Sequence, residues 1–205
     1  MDLLYWQEEL KKRWQFPYQW GRKQNNAFDK DTNFIYRTEK FADLQEVLKN
    51  DFTSPKAAYA LNRWYNFWSA QCVEYIFGTQ PGVVKMQDSK DKYRDFFIEN
   101  IPFDHKTSVY PAAYTTTLYE AMRHKKDLIE WLYHNQSQQQ RLHWKNRLFI
   151  VLYNNDKQHW HLKAEILLLQ KCINQYLVNF APNKLTTLHS PQGNSALSDI
   201  IWAIK

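Results

Sequence analysis

Glycine is scarce in this chain, with four residues in 205. Neither GxGxxG nor GxxxxGK[ST] occurs, which excludes the phosphate-cradling turns of dinucleotide-binding and P-loop proteins. Cysteine is almost as rare. Cys72 and Cys172 both fall in apolar helical patterns, compatible with buried reduced thiols or with a disulfide. Neither stands beside a histidine or at a helix start, so a low-pKa thiol nucleophile is not expected. His159-Trp160-His161 lacks a cysteine or acidic residue at zinc-ligand spacing and reads as a turn. Ser108 is not in a nucleophile-elbow context. No uncharged run approaches the roughly 18 apolar residues needed to cross a bilayer. The segment Met1 to Glu9 carries acidic residues where a leader needs a basic start. The expected location is cytoplasmic, with no membrane partner.

What the chain does have is an ordinary globular composition, 44% apolar and 23% charged. Aromatic residues reach 17%, with nine Trp. The formal net charge of +6 favours acidic partners such as nucleic acid. The length allows one domain with a sizeable core and a small helical appendage.

Apolar spacing predicts a helix over 2–15, from Leu3, Leu4, Trp6, Leu10 and Trp14. A short strand is expected at 33–36 and a helix at 40–50. Ser54-Pro55 then opens the longest helix, 55–77, stopped by Gly78. From 82 the period changes to that of strands, at 83–86, 94–98 and 101–110, with a charged turn at 88–92. A helix over 116–138, a buried strand at 147–153, a helix over 161–180, a short strand at 185–188 and a terminal helix at 198–204 complete the reading. Three consecutive strands joined by short turns must start antiparallel, so the layout is α/β with a mixed sheet. The expected division is an N-terminal helical extension, 1–54, and an α/β domain, 55–205.

The chemistry concentrates between Asp95 and Lys106. With Glu99-Asn100 as a two-residue turn, Ile98 faces Ile101, Phe97 faces Pro102, Phe96 faces Phe103 and Asp95 faces Asp104. Phe96, Ile98, Ile101 and Phe103 then make an apolar face, while Asp95, Asp104 and Lys106 share the other. Opposed carboxylates about 4.5–5.5 Å apart repel. A divalent cation between them reverses the sign, and Mg²⁺ or Mn²⁺ suits oxygen ligands. His105, between Asp104 and Lys106, points to the core and needs a partner there.

The pattern Asp95-x8-Asp104-x-Lys106, together with the order helix, three-stranded antiparallel meander, helix, strand, helix, resembles the PD-(D/E)xK nucleases, the restriction-endonuclease-like fold, over about residues 55–190. Arg94 stands where that family's nominal motif has proline, and Asp104 replaces its commoner glutamate. The resemblance implies a mixed sheet flanked by helices and metal-dependent phosphodiester hydrolysis of DNA, less of RNA. It implies Mg²⁺ or Mn²⁺ held by Asp95, Asp104, the His105 carbonyl and Glu74, with Lys106 assisting the attacking water. A homodimer is also in keeping with it.

Lys85, Lys92 and Arg94 near the hairpin, and Lys125 and Lys126 on the following helix, are phosphate-contact candidates or solvated charges. Arg141, Trp144 and Lys145 belong to a basic, aromatic segment of the kind on which nucleic-acid bases stack, although its tryptophan suits packing equally. Two other readings stay open. One is a nuclease-like fold that no longer cuts and serves as a nucleic-acid-binding or scaffold module. The other is an interaction domain with a coincidental polar hairpin, which gains if Asp95 and Asp104 lie on opposite sheet faces.

Overall fold

Asp2 starts the first helix: its carboxylate accepts the backbone N–H groups of Leu4 at 3.0 Å and Tyr5 at 3.1 Å, satisfying donors that a helix leaves open. A computed structural model of the chain describes residues 1–18, 26–49, 54–86, 94–135, 145–190 and 193–205. The helix α1 spans Leu3–Lys11 and tightens into a 3₁₀ turn, Lys12–Gln15. The helices α2 (Asn26–Asp31), α3 (Phe41–Leu48) and α4 (Pro55–Gly78) follow. Residues 33–36, expected as a strand, form a 3₁₀ turn instead, closed by the Arg37 N–H on the Phe34 carbonyl. No strand lies among the described residues before Val83 to pair with them.

The chain forms two compact units. The first is Met1–Val73 with Lys163–Leu167, and the second Glu74–Leu162 with Leu168–Lys205. The division therefore runs through α4. In the first unit Leu10, Ile35, Phe41, Leu44, Trp64 and Tyr65 are buried, and Trp6 stacks on Trp68 at 4.3 Å. A fully buried Arg13 donates to the carbonyls of Phe16 and Pro17 and to Asn62 Oδ1.

The second unit holds a mixed six-stranded sheet flanked by helices. Its strands are β1 (Val83–Lys85), β2 (Phe96–Ile98), β3 (Ile101–Val109), β4 (Arg147–Tyr153), β5 (Thr186–His189) and β6 (Ser195–Ile204). They lie in the order β1-β2-β3-β4-β6-β5. The meander β1-β2-β3 is antiparallel, β3 and β4 are parallel, β4 and β6 are parallel, and β5 returns antiparallel to β6. The crossover from β3 to β4 carries α5 (Leu118–Arg123) and α6 (Lys125–Asn135), which a break at His124 separates where one helix was expected. After β4 come a 3₁₀ turn, His159–Ala164, and α7, Ile166–Val178.

Leu128, Ile129, Leu132 and Tyr133 of α6 pack with Phe149, Val151 and Ile200 on one sheet face. The intervening Leu148, Ile150 and Leu152 of β4 are also buried, so this strand is covered on both faces. The largest correction concerns residues 198–204, expected as a terminal helix. They form most of β6, an inner strand between β4 and β5. A short apolar run has no periodicity to separate the two states. Ile200, Ile201 and Trp202 are strand-favouring residues, and both neighbours complete the backbone hydrogen bonds.

The hairpin adopts the two-residue turn expected of it. Glu99 and Asn100 have φ of 47° and 64°, the paired positive values of a type I′ turn. The register is Ile98↔Ile101, Phe97↔Pro102 and Phe96↔Phe103. The expected charged turn at 88–92, including Lys92, lies outside the described residues. Asparagine tolerates a positive φ better than glutamate does. Glu99→Asn should therefore raise stability by roughly 0.5–1 kcal/mol, read as a higher urea midpoint at unchanged slope.

Candidate metal centre

The register that places Phe96 against Phe103 fails one residue earlier. Straight continuation would pair Asp95 with Asp104, but the Asp95 N–H donates to the Phe103 carbonyl at 2.8 Å. Asp95 and Phe96 thus both stand against Phe103, the two-against-one pairing of a β-bulge. The Asp104 N–H turns to the other neighbour and donates to the Asn146 carbonyl at 3.0 Å. Asp95 leaves the face on which alternation had placed it and joins that of His105.

There its carboxylate makes two bonds from one oxygen. Oδ2 accepts the His105 backbone N–H at 2.7 Å and meets the ring Nδ1 at 2.8 Å. His105 is buried, its ring 6.2 Å from that of Phe96 and 6.3 Å from that of Phe77, which stack on each other at 4.2 Å. Glu74, in the last turns of α4, completes the group. Ligand atoms of Glu74, Asp95 and His105 lie within 4.8 Å of one another and could hold a metal ion. His105 thus stands in this group by its ring, where the sequence reading used only its carbonyl.

Burial raises the Glu74 carboxyl above its usual value, and Asp95 adds to that, against the pull of His105, Lys85 and Lys106. For Asp95 burial also acts upward, but the hydrogen bonds and charge of His105, with Lys106, outweigh it and hold the carboxyl below the usual range. Two acids on one face are thus pushed apart, a common arrangement at functional sites.

Asp104 and Lys106 do not join this group. Successive strand residues point to opposite faces, and Asp104 lies opposite the centre, in parallel register with Arg147. Its carboxylate meets Arg147 Nε at 2.8 Å, Lys145 Nζ at 3.2 Å and Lys106 Nζ at 3.8 Å. The Arg147 guanidinium also lies over the Tyr133 ring, 5.2 Å from its centroid. Asp104 is a buried anion ringed by cations, and the trio expected on one face is divided between two, the outcome that favours an interaction domain with a coincidental polar hairpin. Lys106 is half exposed, and its charge still reaches both Glu74 and Asp95.

The remaining candidates scatter. The aliphatic stem of Lys85 lies against Gly78, and its charge acts on Glu74. Arg94 is exposed at the start of the bulge. Lys125 is tied to Asp199 at 2.7 Å and to the Lys184 carbonyl, and exposed Lys126 pairs with Glu130. Lys145 belongs to the Asp104 cluster, while Arg141 and Trp144 lie outside the described residues. Both cysteines are free thiols, and burial pushes Cys72 up to about 12. His159 Nδ1 accepts the Asn154 N–H within a turn, as expected.

Arg147 was missed because only the parallel register of β3 and β4 brings it to Asp104, and no local pattern encodes that register. Comparison with protein-family models, with curated proteins and with solved structures gives no match. No helix among the described residues is long and apolar enough to cross a membrane.

Asp104→Asn removes the anion that Arg147 and Lys145 share, and stability should fall by about 3 kcal/mol. Lys106→Ala, at a half-exposed side chain, should change it by less than about 1 kcal/mol; urea midpoints measure both. The two centre acids act on stability with opposite signs. Asp95, depressed, contributes stability that is present at neutral pH and lost as pH falls through its folded value, below the ordinary carboxylate range. Glu74, raised, opposes folding when ionised, and that opposition is relieved as pH falls through its folded value. Without metal, Glu74→Gln should therefore raise the melting temperature at pH 7, and Asp95→Asn should flatten the acid limb of the stability profile.

Proposed function

We propose that this protein is a divalent-metal-dependent phosphodiester hydrolase acting on nucleic acid, DNA more than RNA, with its metal held by Glu74, Asp95 and His105. The observation that carries the reading is the convergence of three ligand atoms within 4.8 Å where α4, the bulge before β2, and β3 meet. The order of elements around it supports the reading: a helix, an antiparallel meander, helices, and a strand parallel to the third. That order accords with a restriction-endonuclease-like core.

The donor set narrows the ion. Two carboxylates and an imidazole suit Mn²⁺ better than Mg²⁺, which takes oxygen ligands. A bound ion would lower the pKa of an attacking water and polarise a phosphoryl oxygen. His105 Nδ1 lies 2.8 Å from Asp95 Oδ2, so an ion held by both would replace that contact and take the Nδ1 lone pair, the ring hydrogen then standing on Nε2. Lys106, half exposed and within charge range of both acids, can offset charge on a phosphate brought to that edge.

One observation favours the second reading, a nuclease-like fold that binds without cutting. The Lys106 ammonium has Asp104, on the opposite face, as its ion-pair partner at 3.8 Å. No lysine is hydrogen-bonded to the centre among the described residues.

Calorimetry with Mn²⁺ separates the readings. The parent should bind one ion, and Glu74→Gln and His105→Ala should each weaken binding by tenfold or more, on the order expected for losing a ligand contact. Plasmid nicking that requires Mn²⁺ and disappears in both variants supports the hydrolase. Metal binding with no nicking leaves the binding module. Absence of heat at millimolar Mn²⁺ would sink the metal centre altogether.

A further inference from the structure

Asp104 has more positive charge around it than one carboxylate needs. Arg147 Nε at 2.8 Å, Lys145 Nζ at 3.2 Å and Lys106 Nζ at 3.8 Å surround it, a surplus of two unit charges in the cluster. Donor capacity is unspent as well. The Arg147 guanidinium bonds Asp104 through Nε alone. Its Nη1 and Nη2 have no hydrogen-bond partner among the described residues, and neither is sealed from solvent. Lys106 stands beyond hydrogen-bond range of Asp104, with its side chain half exposed.

With Nε committed to Asp104, the Nη edge presents paired N–H groups in one plane, the geometry that two oxygens of a phosphate accept. The rings of Tyr133 and Phe149, with centroids 5.2 Å and 5.8 Å from the guanidinium carbon, hold the fork in place. Lys106 meets the same carboxylate and adds a mobile point charge beside the fork. We propose that Arg147 and Lys106 form a phosphate-binding site on the Asp104 face, which takes a phosphate group of a nucleic-acid strand. Asp104 is its positioning residue, holding the guanidinium through Nε. The inference rests on the nucleic-acid part of the proposed function and does not depend on the metal centre.

Anisotropy of a short fluorescein-labelled single-stranded DNA, measured in EDTA, tests the site with metal kept out. Lys106→Gln should raise Kd about tenfold and lower the slope of log Kd against log salt by about 1. Arg147→Lys keeps the charge and loses the fork, so Kd should rise about tenfold at an unchanged slope. A basic surface without a built site would not distinguish lysine from arginine. Lys126→Gln makes the same charge change at a lysine paired with Glu130 and should stay within about twofold of the parent. A 5′-phosphate that tightens binding in the parent but not in Arg147→Lys identifies a terminal monoester as the occupant. Equal binding with and without it, alongside the losses above, identifies an internal diester. Parent-like Kd in Lys106→Gln or in folded Arg147→Lys, or an equal loss in Lys126→Gln, would overturn the proposal while leaving nucleic-acid binding intact. Lys106→Gln carries the test alone should Arg147→Lys fail to fold. If the parent binds no DNA, the nucleic-acid reading falls, and this site with it.

Discussion

The bond pair that Asp95 makes with His105 governs the site. β2 ends at Phe96 as β3 continues to Val109. In a parallel pairing alternate residues of a strand bond the neighbour. Asp104 takes that role toward β4, so the His105 N–H points to the side where β2 has stopped. A buried N–H without an acceptor is costly. The Asp95 carboxylate fills the place of the missing strand at 2.7 Å and holds the imidazole with the same oxygen at 2.8 Å. The bulge makes this reach feasible, and the reach decides which carboxylate belongs to which face.

Two electrostatic environments follow on the two sides of one strand. Asp104 faces three cations, one of them stacked on an aromatic ring, and is compensated within the fold. Glu74 and Asp95 share a single imidazole, with lysine charge acting from a distance. Only the second arrangement has a deficit of positive charge that a cation would fill. Had Asp95 kept its alternation, both carboxylates would have met the same lysine and the contrast between faces would be lost.

Much of this was legible in the sequence, and the limits of that legibility are local. The type I′ turn at Glu99-Asn100 and the pairs out to Phe96↔Phe103 follow from a two-residue loop and an alternating pattern. The mixed sheet follows from three strands joined by short turns. The bulge at Asp95 does not: in straight register Asp95 would hold a non-hydrogen-bonded position against Asp104 with its N–H turned away from β3, and only the bulge brings that N–H to the Phe103 carbonyl. Nor does the Asp104–Arg147 pair, which joins residues 43 apart through a parallel register. Residues 198–204 carry strand-favouring isoleucines in a run too short to show a period, and only their place between two strands decides their state. Glu74 was reached through family resemblance, and the geometry brings it to Asp95 by a different partner, the His105 ring.

Two features of the His105 centre work against stability: a half-buried glutamate whose carboxyl pKa is raised by burial, and two carboxylates held close. On the Asp104 face the corresponding carboxylate is matched several times over. Local conflicts are characteristic of sites kept for a purpose. A cation bound there would relieve both at once. It would compensate the carboxylates and take an imidazole lone pair. Hydrophobic replacement would resolve each conflict separately and give a more stable sheet. Two carboxylates beside one imidazole, more than any single residue, are the physical reason that this group could hold a cation.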